Sequence, residues 1–249
     1  MTKIIILCVF GFLAAFVDSI AGGGGIISLP AYLAAGVPAH FALGTNKFAA
    51  SFGSITSSFN FAKSGKVNFN LLKYLIPFTL IGSIIGVKTV LLIEETYLSS
   101  FILIMIFIIA IYSLFNKNLG VENNFKGTTK ITIFLGILMA FSLGFYDGFF
   151  GPGTGSFLMF LFIKIFRFDF TNASGNAKIL NFVSNITSLF MFALNGQIYY
   201  ALGLPVGISM ILGAKVGSGL AIKDGAKLIK PIFITMSIAV AGKLIIGLV

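Results

Sequence analysis

Residues 18–30 read DSIAGGGGIISLP, and residues 147–158 read DGFFGPGTGSFL. Each stretch sets an aspartate shortly before a cluster of glycines and then opens onto an apolar run. Asp18 recurs as Asp147, 129 positions on, and further along the chain the offset settles at 131. Gly44 and Lys47 match Gly175 and Lys178, and Ile55-Thr56-Ser57 matches Ile186-Thr187-Ser188. Gly65 matches Gly196, and Gly82 and Gly86 match Gly213 and Gly217. A single offset held over that length marks an internal repeat. The two repeats are 1–117 and 130–249, joined by the hydrophilic linker 118–129.

The solvent these repeats face follows from composition. Of 249 residues, 57% are hydrophobic and only 10% charged, and the mean hydropathy is +1.05. Water-soluble chains are about 25% charged, so this one lacks the polar residues to cover a globule in water. It reads as an all-α polytopic membrane protein. The net charge of +10 is assigned to cytoplasmic loops and anionic lipid rather than to nucleic acid. One cysteine, one histidine and seven carboxylates leave little from which to build a metal or Ser/His/Asp site, so no cofactor and no enzyme activity are expected. The first ~20 residues resemble a secretory leader, but Asp18 and the recurring glycine pattern argue for a retained membrane segment.

Each repeat divides into five apolar segments, a to e: 3–21, 26–36, 45–62, 69–92 and 97–115, then 131–147, 156–166, 176–195, 203–222 and 229–248. Segment b, ~11 residues or ~16 Å as helix, reaches half-way through a ~30 Å hydrocarbon core. The expectation is about eight transmembrane helices plus two half-helices. Loop charges set the orientation. The c–d loop of the first repeat carries Lys63, Lys66 and Lys73, and its counterpart, LNGQIYYALG, carries none. The d–e loops swap in the opposite sense, with Glu94 and Glu95 against Lys223, Lys227 and Lys230. The repeats are therefore inverted, with both termini extracytoplasmic and the linker inside, in a multi-pass protein of the cell membrane. Inverted repeats with broken helices meeting at the midplane are a design of secondary transporters.

Gly22, Gly23, Gly24 and Gly25 mark a helix break, since each glycine costs about 1 kcal/mol against alanine in a helix. A break at membrane depth must face protein or water. At the start of segment b its free N–H groups and the positive end of the helix dipole form an anion site. Gly151, Gly153, Thr154 and Gly155 offer the same arrangement. Close helix crossing is the other reading of these glycines. Lys47 and Lys178 lie at the start of segment c, each preceded by polar residues (Thr45-Asn46 and Asn176-Ala177). They either bind an anion or snorkel to the interface. Ser51, Ser54 and Thr56, and Asn181, Asn185 and Thr187, follow at helical spacing and line a polar path or bond between helices. Asp18 and Asp147 are the acids inside these spans; they carry protons in a coupled cycle, pairing with Lys47 or Lys178, or act as structural partners and caps. His40, beside Pro38, reads as a solvated loop residue.

The string DSIAGGGGIISLPAYLAAGVPAHFALGTNKFAASFGS, with SGKVNF, GFYDGFFGPGTGSFL and NASGNAKILNFVSN, resembles the TauE/SafE (sulfite exporter, TSUP) family along nearly the whole chain. That resemblance implies a multi-helix exporter of small sulfur-containing anions, sulfite or organosulfonates, driven by protons. Its G-T-N-K pattern fits Gly44 to Lys47, whereas the second copy reads G-N-A-K at Gly175 to Lys178. The expected partners are a small anion, protons and lipid. A passive anion channel lined by the same dipoles is the alternative; an intramembrane enzyme is disfavoured because no nucleophile and base recur together.

Overall fold

The computed structural model describes residues 2–95, 97, 98, 102 and 122–224, and among these it defines eight helices. They are α1 (Thr2–Ala21), α2 (Gly25–Ala34), α3 (Ala39–Lys63), α4 (Phe69–Val90), α5 (Lys130–Phe149), α6 (Thr154–Phe166), α7 (Phe170–Leu194) and α8 (Tyr200–Asp224). They are segments a to d of the two repeats in order. Segment e of each repeat, together with Lys227 and Lys230, falls outside the described residues apart from 97, 98 and 102.

Local chemistry sets the helix ends. Asn68 and Asp169 accept the backbone N–H of Leu71 and Asn172, closing the first turns of α4 and α7. Thr129 and Thr132 form a reciprocal capping box on α5. α3 and α7 both terminate in a turn through glycine, Gly65 and Gly196, with φ +68° at each. The same angle recurs at the two positions 131 residues apart, the left-handed glycine ending common to many helices.

Two expected boundaries are corrected. α3 begins at Ala39, not 45, and α7 at Phe170, not 176, because Pro38 and the Asp169 cap start the helix ahead of its apolar residues. Lys47 and Lys178 consequently sit more than two turns inside their helices, too deep for a lysine at a helix start to reach the interface. His40 is likewise corrected: it lies in the first turn of α3, with Nδ1 2.7 Å from Glu95 Oε2 and Nε2 3.1 Å from the Val90 carbonyl. It ties the α3 N-terminus to the end of α4 rather than standing in solvent.

Among the described residues five helices, α1, α4, α5, α7 and α8, are long and apolar enough to cross a membrane. α3 has 25 residues, like α7, but it spends that length on Thr45, Asn46, Lys47, Ser51, Ser54, Ser57 and Ser58, all buried. A helix with so polar an inward face is built to line something.

Packing interleaves the repeats. A Cβ on Gly82 or Gly86 of α4 would lie 2.3 or 2.2 Å from the carbonyl oxygen of Phe141 or Phe145 in α5. The equivalent Gly213 and Gly217 of α8 stand against the Phe12 and Phe16 carbonyls of α1 at 2.2 and 2.3 Å. The first helix of each repeat thus clasps the fourth helix of the other, through the small-residue contact that replaces the hydrophobic effect inside a bilayer. In the middle, α3 and α7 run antiparallel: Gly44 abuts Gln197 while Gly175 abuts Lys66. Equivalent helices running in opposite directions are the geometry of inverted repeats.

Apolar side chains form two clusters. Leu29 and Tyr32 of α2 lie in one with Leu7, Leu43 and Phe150. Leu158, Met159 and Phe162 of α6 lie in the other with Phe61, Leu72 and Leu75. Each half-helix is embedded in its own apolar cluster, and its glycine-rich start faces a polar cavity.

Candidate functional site

Both glycine breaks are real chain reversals at close quarters. Gly22 and Gly23 have φ +79° and +89°, and Gly151 and Gly153 have φ +100° and +86°, a region open to glycine at little cost. The two breaks touch: a Cβ on Gly22 would lie 2.2 Å from the Ser156 backbone nitrogen, and one on Gly25 would lie 3.1 Å from Pro152 Cα. Ser156 Oγ donates to the Ala21 carbonyl at 2.9 Å, and Tyr146 OH donates to the Pro152 carbonyl at 2.6 Å. The two readings of the glycines therefore hold together, since they permit both the break and the crossing.

Around this crossing lie two ion pairs, each joining one repeat to the other. Lys47 Nζ of α3 is 2.9 Å from Asp147 Oδ2 of α5, with both side chains at most 3% exposed. Lys178 Nζ of α7 is 2.7 Å from Asp18 Oδ2 of α1, where the lysine is buried and the aspartate is 22% exposed. Lys47 also donates to Asn185 Oδ1 at 3.3 Å, and Asp147 accepts from Ser184. Asp18 accepts the Gly24 backbone N–H at 3.2 Å, so it is at once an ion-pair partner and a cap on the break. No group of three or more potential metal ligands occurs among the described residues.

The cavity between the breaks is lined by Gly23, Gly24, Gly25, Gly151, Gly153, Thr154 and Gly155, by Lys47, Asp18 and Asp147, and by Ser28, Asn46, Ser54, Asn181 and Asn185. It leaves about 40 Å³ for the centres of water-sized molecules; one water needs about 10–15 Å³ on that measure, so there is room for a few waters or one small oxyanion. Its walls are rich in donors. Among the described residues no acceptor takes the backbone N–H of Gly23, Gly25, Gly153 or Gly155. Asn46 and Asn181 are more than nine-tenths buried, yet each engages only its side-chain carbonyl, with Ser28 and Asn185 respectively. Their NH₂ groups have no acceptor among the described residues. Buried donors left open along a cavity are a site for an acceptor-rich guest.

Of the candidates from sequence, the structure gathers Gly23, Gly24, Gly25, Asn46, Lys47, Gly151, Gly153, Thr154, Gly155, Asp18 and Asp147 onto this cavity. Gly22 and Lys178 stand immediately behind its wall. Thr45 and Asn176 are elsewhere. Thr45 Oγ1 accepts the Tyr199 N–H and Asn176 Oδ1 accepts the Asn68 N–H, both at 2.9 Å. These are equivalent bonds, each holding the turn before the fourth helix of the opposite repeat. Thr45→Val is expected to leave the Tyr199 N–H unpaired and cost about 1–3 kcal/mol; an unchanged unfolding midpoint in detergent would show that the bond does not form. Asn181 and Asn185, read from sequence as lining a polar path or bonding between helices, do both: they line the cavity and bond to one another and to Lys47, whereas Ser184, on Asp147, has no such signal in the sequence.

The chain's similarity to known proteins agrees with this architecture. Residues 7–244 match the sequence model of the family described as sulfite exporter TauE/SafE. A protein of Haemophilus influenzae named "Probable membrane transporter protein" is 37% identical over 241 residues, covering 97% of this chain and 93% of that protein. "Probable membrane transporter protein ORF9" of Sinorhizobium sp is 38% identical, covering 96% and 91%. "Probable membrane transporter protein YfcA" of Escherichia coli K12 is 36% identical, covering 96% and 88%. No solved structure matches the chain. With nearly its full length matched by the family and by relatives above one-third identity, the chain is a multi-pass membrane transporter of the TauE/SafE family.

Proposed function

We propose that the protein carries a small anion across the cell membrane, binding it in the cavity where the two half-helix N-termini meet. The observation that carries this reading is the convergence on one small space of Lys47, four unengaged glycine N–H groups and the open amides of Asn46 and Asn181. Every one of those groups is a donor. The N-termini of α2 and α6 add partial positive charge from two directions. An anion entering there meets fixed dipoles that need no rearrangement, and Lys47 turns part of its charge from Asp147 toward the guest.

The family description points to sulfite or a small organosulfonate as the anion and to export as the direction. Asp18 and Asp147, each paired with a lysine, are the groups through which protons couple to the cycle. The loop charges support an orientation with both termini outside the cell and the linker inside.

Counterflow of labelled sulfite and a small organosulfonate in proteoliposomes, with and without an imposed pH gradient, tests the reading. Saturable flux driven by the gradient is expected. Flux that never saturates would make the protein a passive channel, and a folded protein inert to every sulfur anion would remove sulfur from the assignment. In a binding titration Lys47→Ala should weaken sulfite affinity at least tenfold, and Lys63→Ala, on the exposed end of α3, should change it little. Equal effects would take Lys47 out of the site.

A further inference from the structure

One wall of the cavity is apolar. Ala14 and Ala15 of α1, Ala50 and Gly53 of α3 and Met210 of α8 line it. They converge at Gly53, where a Cβ would lie 3.4 Å from both Ala15 Cβ and Met210 Cβ. The ammonium stands elsewhere: a Cβ on Gly151 would lie 2.9 Å from Lys47 Nζ, which puts that charge at the second break. Asn46, Ala50 and Gly53 stand at i, i+4 and i+7 on α3, so one helix face passes from open amide to methyl to bare backbone over about 10 Å. Ser54, beside Gly53, turns its hydroxyl back to the Ser51 carbonyl at 3.2 Å.

Helix crossing does not account for these small residues. The glycines that serve crossing recur in both repeats and stand against backbone, as Gly82 and Gly86 do and Gly213 and Gly217 after them. The positions equivalent to Ala14, Ala50 and Gly53 hold Leu143, Asn181 and Ser184 instead, and Ser184 spends its hydroxyl on Asp147. Nor does the backbone at 53 demand a glycine. The third neighbour of a Cβ there, the Met210 carbonyl oxygen, is 3.5 Å away, so all three lie at ordinary contact distance, and alanine would fit and make the better helix. What glycine contributes at 53 is empty space. Taking the anion reading above as its basis, we infer that this space receives a short alkyl tail on the guest, and that Gly53 and Met210 set the length of tail the protein accepts. The oxyanion head meets Lys47, the glycine N–H groups and the open amides of Asn46 and Asn181, both more than nine-tenths buried. The tail lies against Ala15, Ala50, Gly53 and Met210, where its apolar surface leaves water.

Alkanesulfonates test this, since the head and its charge stay constant while the tail grows. Inhibition constants of methane-, ethane- and butanesulfonate are measured against counterflow of labelled sulfite in proteoliposomes. In the wild type, ethanesulfonate is expected to bind about fourfold tighter than methanesulfonate, the ~0.8 kcal/mol of one buried methylene, and butanesulfonate no tighter than ethanesulfonate. Gly53→Ala should keep its unfolding midpoint in detergent and hold its methanesulfonate constant within about twofold, yet lose the step to ethanesulfonate. Met210→Ala should carry the rise on to butanesulfonate. Equal binding of methane- and ethanesulfonate by the wild type would overturn the inference whether or not the variants fold, and so would a Gly53→Ala protein that keeps the step or weakens both sulfonates alike. Sulfite flux that no sulfonate inhibits would overturn it and leave the anion reading standing. Absence of flux for sulfite and for every sulfonate would overturn the anion reading itself.

Discussion

Asp147→Ala should be among the most destabilising single substitutions in the chain. It leaves Lys47 as a buried cation whose remaining partner among the described residues is Asn185, and breaking a buried pair from one side costs about 3–5 kcal/mol. Removing both partners is expected to be far gentler. Lys47→Met with Asp147→Leu fills the same space with apolar atoms, and such exchanges are often neutral or stabilising. The double variant should recover most of the unfolding midpoint in detergent and still bind no sulfite. A double variant as unstable as Asp147→Ala alone would mean that the pair is not what holds this region together.

Gly22→Val is expected to do comparable damage by a different route. The residue has φ +79°, which costs a β-branched side chain dearly, and its Cβ would lie 2.2 Å from the Ser156 nitrogen and 2.4 Å from the Gly155 carbonyl carbon. Both atoms are backbone of the opposite half-helix and neither can turn aside. The two breaks must separate, and the cavity between them loses its shape. The expectation is protein that reaches the membrane but unfolds at low temperature and shows no saturable anion binding. Gly36→Val, at φ +81° with nothing within 4 Å, carries the backbone strain without the clash and should retain binding. Similar loss in both would assign the effect to strain alone.

Much of this architecture was legible in the residues. The repeated glycine clusters point to the duplication, and loop charges point to its inversion, because both are local properties of composition. Where the long helices begin was less so. Apolar onset suggests residues 45 and 176, but a helix starts at its cap, and Pro38 and Asp169 each lie seven residues earlier. The ion pairs illustrate a different limit. Two acids and two lysines inside a membrane must find each other, but which acid meets which lysine depends on a symmetry axis that no single stretch of chain contains. That axis puts Asp18 against Lys178 and Asp147 against Lys47. Thr45 and Asn176 misled for a related reason. Standing two residues before the lysines on helices that line the cavity, they look like ligands, and only the three-dimensional arrangement shows that they face the turns of the opposite repeat.

The crossed clasp of first and fourth helices has a consequence for the order in which the chain is made. Asp18 waits 160 residues for its lysine, which at the usual ~5–20 residues per second of synthesis is about 8–32 s. Throughout that interval α1 rests in or near the membrane with its carboxylate unmatched and its face for α8 uncovered. The last helix of the described chain completes the first, so a ribosome stalled midway leaves behind a hydrophobic fragment that cannot close on itself, the kind of species that membrane proteases must clear.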